Sequence, residues 1–188
     1  MNDDDLNLFD EDTLITTKTY SLRSIRETDE SDLLVHFADP EVVEFMDIDP
    51  LEDAAEAHGI IAWATGLREF GDGVRFTIRD RATGAFIGTV GFNTLEVDRG
   101  RRGEIAYDLS RDFWGKGVMA EVLPKIIDLG FGNLGLRRLD AFITPGNDRS
   151  IRLLEKHGFQ FEGRLRDYGY WKGRYWDQLL YARLSDDE

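Results

Sequence analysis

The chain of 188 residues contains no cysteine. A disulfide framework, a thiolate metal site and a cysteine nucleophile are therefore all excluded. A reducing cytoplasm fits that composition. Its three histidines, His36, His58 and His157, are scattered, and none has ligand spacing to another ligand type, so no metal is expected. No apolar run approaches the ~20 residues needed to span a bilayer, which excludes an integral membrane protein. The opening MNDDDLNLFDED lacks the basic and apolar regions of a secretory signal, and the expected location is cytoplasmic.

Positive charge is also scarce, with 23 Lys and Arg against 37 Asp and Glu and a net charge of −14. A non-specific nucleic-acid binder needs a basic footprint, so that class is excluded. The charge is unevenly placed. Residues 1–12 carry six acids and no base, and 185–188 add three acids. Both ends are expected to be disordered, leaving a single domain over 13–184. Within it, 13–98 hold 7 bases and 17 acids, net −10, whereas 99–184 hold 16 bases and 11 acids, net +5.

Periodicity places a first strand over Leu14–Ile25 and a short helix from Thr28, its N-cap. A longer helix over Glu52–Phe70 has Ile60, Trp63, Ala64 and Leu67 as its core stripe. Strands follow at Val74–Ile78, Phe86–Phe92 and Glu104–Ser110. Trp114-Gly115-Lys116-Gly117 then opens a helix that contains Pro124, where one backbone bond is lost or the helix kinks. Arg138–Thr144 is a strand, Asn147 caps a helix that ends at His157-Gly158, and Phe159–Leu165 and Tyr175–Leu184 are the last strands. The order β-α-α-β-β-β-α-β-α-β-β implies a mixed sheet, α/β to α+β.

The segment from Glu104 to Ala120 carries the most chemistry. A strand runs through a two-glycine loop directly into a helix. Glycine allows close backbone approach, and a helix start offers unpaired N–H donors and a positive dipole end. Together they suit a phosphate or pyrophosphate, with Lys116 and Arg111 adding charge. Neither a P-loop nor a dinucleotide fingerprint is present.

Three blocks together resemble the GNAT acetyltransferases, and within them the ribosomal-protein (RimJ/RimL-like) branch. They are Gly103–Tyr107 with Trp114–Gly117, Asn147–Ser150 through Glu155–Phe159, and Glu162-Gly163 with Tyr175–Tyr181. The resemblance covers about residues 20–184. It implies a twisted mixed sheet, splayed in the middle and flanked by helices, with acetyl-CoA entering the gap between the strand ending near Ser110 and the one starting near Arg138.

The resemblance also implies residue roles. The backbone of Gly115, Lys116, Gly117, Val118, Met119 and Ala120 would bind the pyrophosphate of acetyl-CoA, and Arg149 and Arg152 would suit its phosphates. Leu109, Ser110 and Arg111 would pair with the pantetheine arm, and a bulged N–H there would polarise the acetyl carbonyl. Asn147 would contact the same arm, alongside its role as a helix cap. Ser150 would protonate the leaving thiolate, or be only a first-turn surface serine. The tyrosine that many members use as that acid is replaced by Leu154, and the acceptor glutamate of close relatives is absent near Gly169.

An ammonium must lose a proton before it can attack a thioester. Glu104 is the candidate base, with an ion pair to Arg101 or Arg102 as the competing role and Asp108 in reserve. Alternation puts Glu104, Ala106 and Asp108 on one strand face and Ile105, Tyr107 and Leu109 on the other. The aromatic stretch 168–177 would form an acceptor-pocket wall or a hairpin packed on the sheet. The expected activity is direct acetyl transfer to a primary amine, either a protein N-terminus or a small molecule such as a polyamine, amino acid or antibiotic. A catalytically silent acyl-CoA-binding module is the other class. Monomer and homodimer are both open.

Overall fold

The computed structural model describes residue 10 and residues 12–187. The acidic stretch 1–12 lies outside the described residues except for Asp10 and Asp12, as does Glu188. The elements are β1 (Leu14–Thr16), β2 (Tyr20–Ser24), α1 (Glu30–Phe37), α2 (Ala54–Phe70), β3 (Val74–Asp80), β4 (Phe86–Glu96), β5 (Arg102–Leu109), α3 (Val118–Asp128), β6 (Arg138–Ile143), α4 (Asp148–Lys156), β7 (Gln160–Trp171) and β8 (Arg174–Leu184). No helix among the described residues is long and apolar enough to cross a membrane.

The strands form one sheet in the order β1-β2-β3-β4-β5-β6-β8-β7. Neighbours are antiparallel except β5 and β6, which are parallel. A parallel step needs a crossover, and α3 supplies it between these two strands. The pairing of β5 with β6 is short: Arg102↔Arg138, Gly103↔Leu139 and Glu104↔Asp140. Beyond that point β5 continues to Leu109 against β4, and β6 continues to Ile143 against β8. The sheet therefore splits at Glu104, at the place the resemblance implies.

Apolar side chains hold the layers together on both sides of the sheet. Val118, Met119, Val122, Leu123, Ile126 and Ile127 of α3 are all buried and pack with Phe76, Ile78, Val90, Phe92 and Leu139. Each large side chain so buried contributes roughly 1.5–3 kcal/mol. Ile25, Leu33, Phe37, Val43, Ile61 and Ala64 form a second cluster under α1 and α2. The central strand β4 is buried along most of its length because both of its faces are covered. Pro124 lies inside α3, and the helix continues to Asp128, so the missing N–H costs one bond without ending the helix.

Several boundaries differ from the sequence reading for identifiable reasons. The expected first strand is two, β1 and β2, paired antiparallel with Leu14 opposite Arg23. Thr17 Oγ1 accepts from the Tyr20 N–H at 2.8 Å and closes the turn between them. Thr28 is not the cap of α1. It lies in a 3₁₀ turn over Glu27–Asp29, and Asp29 is the N-cap residue. Its buried carboxylate is held by Arg23 at 2.6 Å and Arg79 at 2.7 Å. In α2 the buried residues are Ala57, Ile61 and Ala64, so Trp63 is turned out of the core and is 44% exposed. Strand β7 extends to Trp171 and joins β8 through Lys172-Gly173, both at positive φ, which makes the aromatic stretch a hairpin.

Candidate active site

The loop from β5 to α3 is built for backbone exposure. Gly115 and Gly117 have φ of 70° and 78°, a region that side-chain-bearing residues enter at a cost. Gly117 is the N-cap of α3 and brings no side chain to the first turn. The N–H groups of Val118, Met119 and Ala120 thus open the helix with its positive dipole end and no side-chain cap. Val118 and Met119 send their side chains into the core, at 1% and 6% exposure, so only their backbone faces outward. A Cβ at Gly115 or Gly117 would meet nothing within 4 Å, so the space before the helix is open. These features fit an anionic group such as a pyrophosphate.

Neighbouring side chains fix this loop. The Trp114 Nε1–H donates to the Leu109 carbonyl at 2.7 Å and ties the loop to the strand end. The Arg149 guanidinium stacks over the Trp114 ring at 4.3 Å, and Lys116 Nζ lies 5.6 Å from the Phe113 ring. Arg111 departs from expectation. Its guanidinium pairs with Glu41 and, at 3.5 Å, with Asp39, so its charge is turned toward the segment after α1 and away from the glycine loop.

One cavity of about 1170 Å³ spans the split in the sheet. Of the expected site residues it is lined by Glu104, Leu109, Gly115, Gly117, Val118, Met119, Ala120, Asn147, Arg149, Ser150 and Arg152. Ser110, Arg111 and Lys116 are not among its lining residues. The end of β5 and the start of α3, nine residues apart, thus converge with the first turns of α4, some 30 residues further on. A bulge was expected at the end of β5. Its pairing with β4 runs without a shift from Ile105 to Leu109, and the irregularity lies in β4 between Phe92 and Thr94, opposite Glu104. The expected bulged donor is therefore absent from β5, and what the strand offers is its regular edge beside the split.

Glu104 stands where β5 and β6 part, in register with Asp140. Asn93 Nδ2 and Thr94 Oγ1, both at the β4 irregularity, approach its two carboxylate oxygens at 3.5 Å. Burial pushes its pKa up, and the carboxylates of Asp140 and Asp47 push it further in the same direction. The competing ion pair is not formed with Arg102, which pairs with Glu96 at 2.8 Å.

Across the cavity, Asn147 caps α4 by accepting from the Ser150 N–H at 3.2 Å. Asn147→Ala is expected to cost about 1 kcal/mol of stability, read from denaturant unfolding. The Tyr107 hydroxyl donates to the Ser150 carbonyl at 3.5 Å, and burial raises its pKa to about 12, so it stays a donor at neutral pH. Leu154 is fully buried, which makes the missing tyrosine a core position in this chain.

Asp108 has a different environment from Glu104, although both lie on the same face. Its Oδ1 accepts from the Thr89 N–H at 2.9 Å and from His36 Nε2 at 2.7 Å. Its Oδ2 accepts from Thr89 Oγ1 at 2.6 Å and from Arg75 at 3.1 Å. Burial alone would raise its pKa, but the hydrogen bonds from His36 and Thr89 and the charge of Arg75 hold it below the usual carboxylate range. Every acceptor position is taken, which argues against the reserve-base role. The sequence reading missed His36, Arg75 and Thr89, because no local pattern links residues 36, 75, 89 and 108.

The segment after α1 covers the far side of the cavity. Lys172 Nζ, at the β7–β8 turn, donates to the Val43 carbonyl at 2.6 Å, and Thr144 Oγ1 donates to the Phe45 carbonyl at 2.9 Å. Trp63, Tyr168 and Trp171 also line the cavity, as do Glu44 and Asp47. Most hairpin rings pair with one another. Trp171 stacks on Trp176 at 5.7 Å and Tyr170 meets Tyr175 edge-on at 5.0 Å, whereas Tyr168 stacks on Phe142 of β6 at 5.2 Å.

Comparison with known proteins agrees with this geometry. Residues 20–160 match the acetyltransferase (GNAT) domain family. The N-acetyltransferase p20 of Bacillus licheniformis is 40% identical over 90% of this chain and 94% of its own length. The N-acetyltransferase YoaA of Bacillus subtilis is 34% identical over 93% of this chain and 98% of its own. The fold superposes on Mycobacterium smegmatis RimJ in complex with CoA-disulfide with a TM-score of 0.83 at 21% identity, covering 94% of this chain and 88% of that one. An acetyltransferase from Salmonella typhimurium that modifies the N-terminal serine of ribosomal protein L7/L12 gives 0.80 at 23%, covering 92% and 99%. With a domain match over most of its length and two relatives above 30% identity across nine-tenths of it, this chain belongs to the GNAT family of acetyl-CoA-dependent N-acetyltransferases.

Proposed function

We propose that this acetyltransferase acts on the α-amine of a protein, as ribosomal-protein acetyltransferases do, by direct attack of the amine on the thioester. The observation that carries the site assignment is the split between β5 and β6, which joins the uncapped start of α3 to the Glu104 carboxylate through one cavity. In this reading the amides of Gly115, Lys116, Gly117, Val118, Met119 and Ala120 hold the pyrophosphate. Arg149 and Arg152 face the remaining phosphate charge. The edge of β5 at Leu109 and the side chain of Asn147 hold the pantetheine arm. Acetyl-CoA supplies the activated acyl group.

Glu104 takes the proton that an ammonium must lose before its nitrogen can attack. Its raised pKa brings the carboxylate nearer the working pH, where a general base is most effective. Ser150 stands in the first turn of α4 and lines the cavity, where its hydroxyl can hand a proton to the departing sulfur. The protein-amine reading draws on the relatives that carry that activity in their names. A small-molecule amine is the second reading, favoured by Gly169. A Cβ there would collide with the Trp171 ring, so a glutamate cannot be placed at that position without moving the indole.

A panel of short peptides with free N-termini and of small amines, assayed by thiol release and mass spectrometry, tests the assignment. Transfer to peptide α-amines well above transfer to any small amine supports it, and the reverse ranking replaces it with the second reading. For a cationic acceptor kcat/KM is expected to fall as ionic strength rises, because the acidic residues Glu44, Asp47 and Glu104 line the acceptor side. A neutral acceptor amine serves as the control.

A further inference from the structure

His36 does not line the cavity, yet it contacts the strand end that does. It is on α1 with its side chain 1% exposed, and both ring nitrogens are engaged. Nε2 meets Asp108 Oδ1 at 2.7 Å and Nδ1 meets Ser110 Oγ at 2.8 Å. Asp108 accepts at every oxygen, so Nε2 must carry the proton, and in the neutral ring Nδ1 accepts from the Ser110 hydroxyl. One imidazole therefore bridges Asp108 on β5 and Ser110, the residue just past its end. The residue between them is Leu109, whose carbonyl turns away from β4 to accept from Trp114 Nε1.

The arginines around His36 already have carboxylate partners. Arg75 and Asp108 form a buried pair at 3.1 Å that is already balanced. Arg79, over the Phe86 ring that edges His36, is paired with Asp29 and Asp32. Arg111, next to Ser110, is paired with Asp39 and Glu41.

We propose that His36 is a positioning residue for acetyl-CoA: by clamping Asp108 and Ser110 together it fixes the Leu109 peptide that faces the split in the sheet. This rests on the reading that the cofactor arm lies along β5. The clamp also links α1, and through it the segment that roofs the acceptor side, to the strand that receives the thioester. His36 itself touches neither substrate.

The test uses the full chain and measures acetyl-CoA binding by calorimetry together with steady-state kinetics. Ser110→Ala and His36→Gln should each raise KM for acetyl-CoA about five- to tenfold, the factor that one hydrogen bond carries. The glutamine retains a donor for Asp108 and loses the Nδ1 contact. The value of kcat should stay within about twofold. The double variant should be no worse than the worse single one, since both break one contact, and Ser110→Thr should restore wild-type KM. If His36→Gln fails to fold, Ser110→Ala carries the test alone, because it leaves the His36–Asp108 bond intact. An unchanged KM in folded variants, or a loss confined to kcat, overturns the proposal. Gly117→Ala separates the two readings. If it weakens acetyl-CoA binding and Ser110→Ala does not, only the role of His36 fails. If Gly117→Ala binds normally, the placement of the cofactor fails with it.

Discussion

Glu104→Gln is expected to lower kcat about 100-fold or more at neutral pH, the contribution that a positioned general base makes. The same variant is expected to gain thermal stability. The pKa of Glu104 is raised by burial and by the carboxylates of Asp140 and Asp47, so the folded protein disfavours its charged form. A group with a raised folded pKa adds stability when protonated and loses it as pH rises through that pKa. Glutamine removes the charge that burial and the two neighbouring carboxylates disfavour. Kinetics and a thermal melt on one preparation check both halves. A structural role for Glu104 would make activity and stability fall together, whereas the base role moves them in opposite directions.

Asp108→Ala has the larger expected effect on folding. It removes the acceptor from a fully buried Arg75, and from His36, and leaves an uncompensated charge between the layers. Breaking a buried pair in this way costs about 3–5 kcal/mol, measured by urea unfolding. The double variant Asp108→Leu with Arg75→Met should recover much of that loss, because it removes both charges together. The pH dependence follows in sign. The pKa of Asp108 is held low in the folded state, as is that of Asp29 between Arg23 and Arg79. Their stabilisation is therefore complete above the unfolded carboxylate value of about 4 and is lost as pH falls through the folded values. Wild-type midpoints should drop steeply below about pH 4, and a folded Asp108 variant should show a shallower drop.

The strands and helices were legible where the chain follows one periodicity. The apolar stripe of α3, the glycine loop before it and the cap at Asn147 are local signals, and each reads correctly from neighbouring residues. The split in the sheet was legible only through the resemblance, since nothing in β5 alone says that its pairing with β6 stops at Glu104. Trp63 misled because an aromatic on a helical stripe normally packs inward. In α2 the buried face is rotated onto Ala57, Ile61 and Ala64, and the indole meets the cavity instead. Arg111 misled for a related reason. Its nearness in sequence to the glycine loop suggested a phosphate contact, but Asp39 and Glu41, some 70 residues earlier, claim it.

The difference between Glu104 and Asp108 was invisible to the sequence. Both are acids on one face of one strand. Asp108 becomes a saturated, ionised anchor because Thr89, Arg75 and His36 arrive from three other elements. Glu104 keeps open acceptor positions because the sheet parts beside it and the β4 irregularity places only Asn93 and Thr94 nearby, at 3.5 Å. Tertiary contacts decide which carboxylate can accept a proton, and alternation along the strand supplies only the face.

The most direct measurement is the pH dependence of kcat/KM for the amine acceptor, in the wild type and in Glu104→Gln, with acetyl-CoA affinity measured alongside. The account predicts an acid limb in the wild type set by a group above the ordinary glutamate value, the loss of that limb in the variant, and unchanged acetyl-CoA affinity. An identical limb in both proteins, with kcat preserved, would contradict it.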